Sequence, residues 1–189
     1  MADYFLDRRY VALAYDRDDL NLKEFEGCFF ERCDFSDCNF IGVTFIDCNF
    51  KDCTFTGARI NHVAFRTVNF ENCLMQDINF AMTDKLIFEM HFHRCVLDFS
   101  KFYTLKLKRI SFIDCCMIAV DFMKADLTEA IFDRCDLYKA VFSNTVLEKA
   151  DFRTSMNFSI DPEKNKIRRA MFSCDNVKGL LDRYGIVVN

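Results

Sequence analysis

The sequence of 189 residues has no tryptophan, one proline and only five glycines. With 51% hydrophobic residues and so few chain breakers, it predicts one folded domain with a sizeable core, not a tail or a linker. No apolar run approaches the roughly 20 residues that a membrane-spanning helix needs. The first 20 residues mix charged and aromatic side chains without an apolar secretory core, so we expect a cytoplasmic protein.

The sequence also lacks an excess of positive charge. It has 25 Lys and Arg against 29 Asp and Glu, a net charge of −4, which argues against a generally basic binder of nucleic acid or membrane surfaces. We therefore expect neither nucleic acid nor membrane as a direct partner. Eleven cysteines in a chain without an export signal predict reduced thiols and not a disulfide framework.

Large apolar residues, mostly Phe, recur at every fifth position. The pattern runs unbroken from Phe30 to Phe80, and a small residue such as Cys, Ala or Val stands two positions before most of them. It then fails and resumes two residues out of phase, from Phe92 to Phe152. This change of phase predicts an insertion of two residues within 81–86.

A five-residue period fits neither standard element. On an α-helix five residues advance about 500°, which scatters the Phe side chains around the axis. On a flat strand an odd spacing places them on alternate faces. A chain that turns a corner every five residues points one large and one small side chain inward from each block, and successive turns stack into a β-solenoid. The predicted core stack comprises Phe30, Phe35, Phe40, Phe45, Phe50, Phe55, Phe65, Phe70, Phe80, Phe92, Phe102, Phe112, Phe122, Phe132, Phe142 and Phe152.

The cysteines follow the same period. Nine of the eleven stand at the small inward position, so we interpret them as core fillers and not as metal ligands or nucleophiles. Only Cys116 and Cys174 lie outside that column. His91 and His93 flank Phe92, which points inward, so both should point outward, while Cys95 points into the core; these three side chains cannot converge on a metal. We expect no metal, no cofactor and no catalytic residue.

The blocks resemble the pentapeptide-repeat family. Examples are Cys33-Asp34-Phe35, Cys38-Asn39-Phe40, Ala125-Asp126-Leu127 and Cys135-Asp136-Leu137, and the resemblance covers about residues 20–172. It implies a right-handed quadrilateral β-helix with four blocks, or 20 residues, per coil. About seven coils at roughly 4.8 Å each would give a rod about 34 Å long.

Both ends of an open stack must be covered. We expect residues 1–27 to form an N-terminal cap and residues 28–174 to form the β-helix. Asp161 and Pro162 begin a predicted protruding turn. The segment 175–189 is predicted to form a short α-helix, ended by Gly185, and a terminal strand.

The C-terminal end contains the run Asn157-Phe-Ser-Ile-Asp-Pro-Glu-Lys-Asn-Lys-Ile-Arg-Arg, followed by Gly179-Leu-Leu-Asp-Arg-Tyr-Gly-Ile-Val-Val. These runs resemble the end of the gyrase-protecting members of the family, most of all the McbG-type microcin immunity proteins and more broadly the Qnr and MfpA types. That resemblance implies a homodimer joined tail to tail. The dimer contacts would be Val177, Leu180, Leu181, Tyr184, Ile186, Val187 and Val188. The alternative is that these residues only cap their own last coil.

The resemblance further implies a non-catalytic protein that imitates DNA and binds DNA gyrase or topoisomerase IV, protecting it from a toxin or drug. The charge changes along the chain, from −3 over residues 1–27 to +3 over residues 153–189. Thr83, Asp84 and Lys85, at the insertion, form a possible partner-contact loop. The alternative function is a general protein-interaction scaffold of the same family with an unrelated partner.

Overall fold

A computed structural model describes residues 3–84 and 89–186 of the chain. Within these ranges the regular structure consists of short parallel β-strands and three short 3₁₀ helices, so the predicted all-β solenoid is confirmed. No helix in the described ranges is long and apolar enough to cross a membrane. The strands are β1 Tyr4–Leu6, β2 Arg9–Val11, β3 Glu24–Glu26, β4 Phe29–Glu31, β5 Thr44–Ile46, β6 Asn49–Lys51, β7 Ala64–Arg66, β8 Val68–Glu71, β9 Met90–His93, β10 Ser111–Ile113 and β11 Ile131–Asp133.

Each coil has four faces, named here in chain order. The first face is the sheet β1-β3-β5-β7, and the second face is the sheet β2-β4-β6-β8-β9-β10-β11. The third and fourth faces are held by single parallel bridges. On the third face the bridged residues are Ala14, Asp34, Thr54, Leu74, Val96, Cys116, Asp136 and Met156; on the fourth they include Asn39 with Arg59, and Asn79, Lys101, Asp121 and Val141.

The backbone register locates the predicted insertion. Below it, paired residues are 20 apart, as in Phe50 with Phe70. Across it they are 22 apart, as in Phe70 with Phe92, and above it the spacing returns to 20. The amide of Asp84 donates to the carbonyl of Val63, which follows the spacing of the coils below the insertion. The carbonyl of Glu89 accepts from the amide of Val68, which follows the shifted spacing across the insertion. The two extra residues therefore fall between Asp84 and Glu89, which overlaps the predicted range.

Aromatic rings stack along the inside of each face, because residues one coil apart lie directly above one another. The longest column in the described chain lies behind the second face, with ring centroids 4.7–5.4 Å apart. Every Phe of the expected core stack is buried. The column behind the second face comprises Tyr10, Phe30, Phe50, Phe70, Phe92, Phe112, Phe132, Phe152 and Phe172.

The corners are made by left-handed backbone two residues after most of the central apolar residues. Gly27 and Gly57 hold two of these corners, with φ of 61° and 71°. Most corners are held by other residues, for example Asp37 at φ 58° and Lys124 at φ 59°. The left-handed region is unfavourable for residues with a Cβ atom, least so for Asn and Asp. The strands and the core must therefore stabilise this repeated bend.

Six cysteines form a continuous column in the core, and their thiols have a common hydrogen bond. Each Sγ donates to the carbonyl of the aromatic or apolar residue one coil below, as in Cys53 to Phe30 at 3.5 Å and Cys135 to Phe112 at 3.3 Å. All six side chains are buried, as predicted for core fillers. The column comprises Cys33, Cys53, Cys73, Cys95, Cys115 and Cys135.

The described part of the N-terminal segment is the first coil of the solenoid. Strands β1 and β2 pair with β3 and β4, and the rings of Phe5, Tyr10 and Tyr15 stack at 4.9–5.1 Å on the rings of the second coil. These rings are only half-buried, so this coil covers the core of the next one. Its small inward positions are instead occupied by residues such as Arg8 and Asp18, which the open end leaves in solvent.

The C-terminal end departs from the predicted α-helix. Two short 3₁₀ helices, Val177–Leu180 and Asp182–Tyr184, take its place. Gly179 lies against the backbone and ring of Phe158, where a Cβ atom would clash, and its carbonyl accepts from Ile160 at 3.0 Å. Glycine weakens an α-helix, and a segment this short is marginal alone, so contacts with the last coil determine its conformation. Ile186 is not in a strand, and the rest of the predicted strand, Val187 and Val188, lies outside the described residues.

The last coil is closed by a change of phase of one residue. Asn157 stands at the position of a large inward residue but is exposed, whereas Phe158 is buried. The Phe158 ring lies 5.7 Å from the Phe152 ring and 5.5 Å from the Phe172 ring. The predicted turn at Asp161 follows, and the Asn165 side chain ties it down by donating to the carbonyls of Phe142 at 3.0 Å and Asp161 at 2.9 Å.

Candidate partner-binding surfaces

The third face carries an excess of carboxylates in its outward positions. Five aspartates there reach solvent, against the two cations Arg17 and Lys139, counted over the described ranges. Ser36 donates to Asp34 through its hydroxyl at 2.6 Å and its amide at 2.9 Å, and these bonds lower the pKa of Asp34. This carboxylate is therefore charged at neutral pH. The five are Asp16, Asp34, Asp37, Asp77 and Asp136.

The C-terminal half of the third face is apolar at its surface. Leu74, Val96 and Cys116 follow one another along the bridge ladder, and Met156 follows Asp136. Phe99, Tyr138 and Met156 leave 55%, 50% and 50% of their surface in solvent. Exposed apolar residues that lie together commonly mark a contact surface. The apolar patch, as we use the term, comprises Leu74, Val96, Phe99, Ile118, Tyr138 and Met156.

The opposite, first face is basic in its C-terminal half. Arg109 and Lys149 both pair with Glu129, at 3.0 and 2.6 Å. Lys166 and Arg169 have no ion pair with any other described residue. The outward cations of this half are Lys106, Lys108, Arg109, Lys149, Lys166, Arg168 and Arg169.

In its N-terminal half the same face is acidic, since Asp7, Glu24, Glu26 and Asp47 face outward there with Arg66. The first face therefore changes from acidic to basic along the chain, whereas the third face carries its excess of carboxylates without a basic half.

The residues expected at a dimer interface divide into two groups. Val177, Tyr184 and Ile186 leave 40–56% of their surface in solvent. Leu180 and Leu181 are half-buried, and Leu180 packs against the core of the same chain. The segment is therefore a cap that presents an apolar outer side. Val187 and Val188 lie outside the described residues.

Polar contacts fix the C-terminal segment to the last coil. The Asn176 side-chain amide donates to the carbonyls of Phe152 at 2.7 Å and Ser155 at 3.0 Å. Arg183 donates to both oxygens of Asp161 at 2.6 Å. Between the segment and the third face lies an open cavity of about 610 Å³, whose lining includes Tyr138 of the apolar patch. The patch therefore continues into a groove at the C-terminal end.

The loop expected to contact a partner is partly used inside the fold. Thr83 is buried, and its hydroxyl donates to the carbonyl of Phe80 at 2.6 Å. Its side chain is therefore not available to a partner. Asp84 is half-buried, its amide donates to Val63 at 2.8 Å, and a partner contact by its side chain remains a prediction. Lys85 lies outside the described residues.

The two histidines point outward and have separate partners. The Nδ1 atom of His91 lies 2.8 Å from the hydroxyl of Ser111, and the Nε2 atom of His93 lies 3.5 Å from a carboxylate oxygen of Asp114. Cys95 is buried behind them. Over the residues that the structure describes, no three metal-ligating side chains converge.

Comparison with known families agrees with this geometry. The family model described as a pentapeptide repeat region matches residues 23–84, and that described as pentapeptide repeats (8 copies) matches residues 121–155. Together they cover just over half of the chain. The chain belongs to the pentapeptide-repeat family. A comparison with curated proteins found no match.

Solved structures of other pentapeptide-repeat proteins share the fold. One trypsin-treated variant of QnrB1, a plasmid-mediated fluoroquinolone resistance protein, is 17% identical, with a TM-score of 0.55 over 98% of this chain and 100% of that chain. A second trypsin-treated QnrB1 variant is also 17% identical, with a TM-score of 0.53 over 98% and 99% of the chains. At this identity the likeness concerns the fold alone.

Sequence reasoning missed that the cations in the C-terminal half of this pentapeptide-repeat protein gather on the first face. A net charge summed along the chain averages the four faces of each coil. Sorting outward residues by their position within each 20-residue coil would have revealed it, because the register was already known. The exposed phenyl ring of Phe99 was visible in the same way, as a Phe outside the core column.

Proposed function

We propose that this chain is a non-catalytic protein that binds a type II topoisomerase, DNA gyrase or topoisomerase IV, in place of DNA and protects it from a toxin or drug. The observation that carries the proposal is the acidic third face of an unbranched rod. Its outward positions hold five accessible aspartates and only two cations, whereas the C-terminal half of the opposite face is basic. A DNA-binding surface is lined with cations that neutralise phosphates, and such a surface attracts a rod with one acidic side.

The shared fold supports the same proposal. QnrB1, which has this fold over its whole length, is described as a plasmid-mediated fluoroquinolone resistance protein, and the C-terminal segment of this chain resembles that of gyrase-protecting members of the family. The chain would work in the cytoplasm, where these enzymes are found. It would need no cofactor, because protection requires only that it occupies the enzyme surface.

The proposed active form is a homodimer joined through the C-terminal segments. Val177, Tyr184 and Ile186 offer the exposed apolar side that a second copy would cover. The nine rings behind the second face span about 40 Å, so two rods joined in this way would be roughly 80 Å long, comparable with about 24 base pairs at 3.4 Å each. Since residues 153–189 carry a net charge of +3, the two tails repel each other, and the dimer should become tighter as salt screens that repulsion.

A supercoiling assay tests the function. Purified chain should inhibit gyrase at high concentration and relieve poisoning by a drug or toxin at lower concentration. Sedimentation of the same sample gives its oligomeric state, and Val177→Ser with Ile186→Ser should shift it toward monomer. If a confirmed dimer neither inhibits nor protects gyrase or topoisomerase IV, the proposed function is wrong.

A further inference from the structure

Phe99 combines an unfavourable backbone with an unfavourable exposure. It holds a corner at φ 63° and leaves 55% of its surface in solvent. A bulky residue in the left-handed region is an outlier. The same corner is held by Asp77 one coil below and Ala119 one coil above, at φ 56° and 54°, so the fold does not require a large side chain there. Neither the core nor the turn explains the phenyl ring.

The surroundings of Phe99 leave its ring uncovered and place other apolar residues beside it. The Phe99 amide donates to the carbonyl of Ile118, and the Ala119 amide donates to that of Tyr138, both at 2.8 Å. These bonds bring three members of the apolar patch onto adjacent coils. Ala119, directly above Phe99 in the corner column, is too small to cover the ring.

Negative charge borders the apolar patch on the third face. Asp77 precedes Phe99 in the corner column and pairs only loosely with Lys101, at 3.5 Å. Asp136 lies between Cys116 and Met156 on the bridge ladder and has no ion pair among the described residues. The matching surface is therefore one that carries an apolar side chain with Lys or Arg next to it. Charge alone would serve an imitation of phosphates, but an exposed phenyl ring would not.

We infer that the apolar patch, centred on Phe99, is the anchor by which this chain recognises a protein surface, with the aspartates of the third face meeting basic residues around the anchored site. The inference rests on the proposed function and specifies its contact face: the topoisomerase binds the third face through an apolar contact that DNA does not make. Large aromatic residues at the centre of an interface commonly carry most of its affinity.

Binding of the full chain to purified gyrase and topoisomerase IV, measured by surface plasmon resonance, tests the inference. Phe99→Ser and Tyr138→Ser should each weaken binding at least about tenfold. Leu22→Ser is the matched control, because Leu22 is also a large apolar residue at a left-handed corner, with φ 60° and 63% exposure, but on the fourth face. It should leave affinity unchanged. Phe99→Gly removes the ring and the backbone strain together, and a thermal melt of this variant that matches wild type shows that its loss of binding does not come from unfolding.

The outcomes separate the inference from the proposed function. If wild-type chain binds neither enzyme, the proposed function fails and the inference fails with it. If wild-type chain binds and the two serine variants bind equally well, the inference is wrong while the function stands. An equal loss in Leu22→Ser would also overturn the inference, because the contact would then not be specific to the third face.

Discussion

Replacing Phe122 by alanine tests the core register most sharply. The Phe122 ring is fully buried and stacks between the rings of Phe102 and Phe142, at centroid distances of 5.5 and 5.4 Å. It also meets Phe112 and Phe132 edge-on, at 6.0 and 5.8 Å. The substitution removes four ring contacts and leaves a cavity that the coils on either side, held by single parallel bridges on this face, cannot close.

The expected loss follows from that environment. Burial of a Phe side chain contributes about 1.5–3 kcal/mol, and the cavity raises the cost of Phe→Ala in cores to about 3–5 kcal/mol. For a chain of this length a loss of about 4 kcal/mol corresponds to a fall in Tm of roughly 8–16 °C. The assay is denaturant unfolding followed by circular dichroism, together with a thermal melt.

Lys124→Ala is the matched control for Phe122→Ala. Lys124 is exposed in the same block, two residues away, and its left-handed corner already holds a residue with a Cβ atom. We expect a change within about 0.5 kcal/mol. Similar small costs for both variants would refute the register, and with it the stacked core.

Three further predictions follow from other parts of the chain. With a thiol reagent, the exposed Cys174 should react first, and the core cysteines should react only when the chain unfolds. Burial protects the core thiols and raises the pKa of Cys48 to about 12, so little reactive thiolate is present. Fast reaction of several thiols in the native chain would contradict the assignment of the cysteines to the core. Gly179→Ala should lower the melting temperature by forcing the C-terminal segment away from Phe158, and an unchanged melt would contradict the close contact. A hydrogen bond from Arg134 lowers the pKa of Asp114 in the folded chain. The pair therefore stabilises the fold at a pH above the pKa that Asp114 has in the unfolded chain, and this contribution is lost as pH falls through its pKa in the folded chain. Arg134→Gln should make the free energy of unfolding fall less steeply with acidification, and an unaltered dependence would refute the contribution.

The core of this fold was predictable because volume alone determines it. A large residue at every fifth position and a small one two places earlier leave a single arrangement that buries both. The repeat pattern did not reveal the first coil, because the positions that hold small inward residues in other coils face solvent there and hold residues such as Arg8 and Asp18. The corners were not predictable from residue type, because backbone that favours glycine is held here by Asp, Lys and Phe99 alike.

The C-terminal segment was the least predictable part. Its apolar spacing suits an α-helix and a 3₁₀ turn about equally well over so few residues. The deciding contact, Gly179 against Phe158, joins residues 21 apart in sequence and depends on the phase change at Asn157. The apolar patch likewise joins residues from successive coils, so only the register brings Phe99 and Tyr138 together. The family resemblance implied a dimer contact for the tail but gave no reason to choose the third face.

Competition between this chain and DNA for gyrase tests the central claim most directly. Fluorescently labelled chain is bound to the enzyme, and a duplex of about 20 base pairs is added while anisotropy is followed. The account predicts that duplex DNA displaces the chain and that unlabelled chain displaces labelled DNA. Simultaneous binding of both, with neither affinity altered by the other, would contradict the claim that the acidic rod occupies the place of DNA.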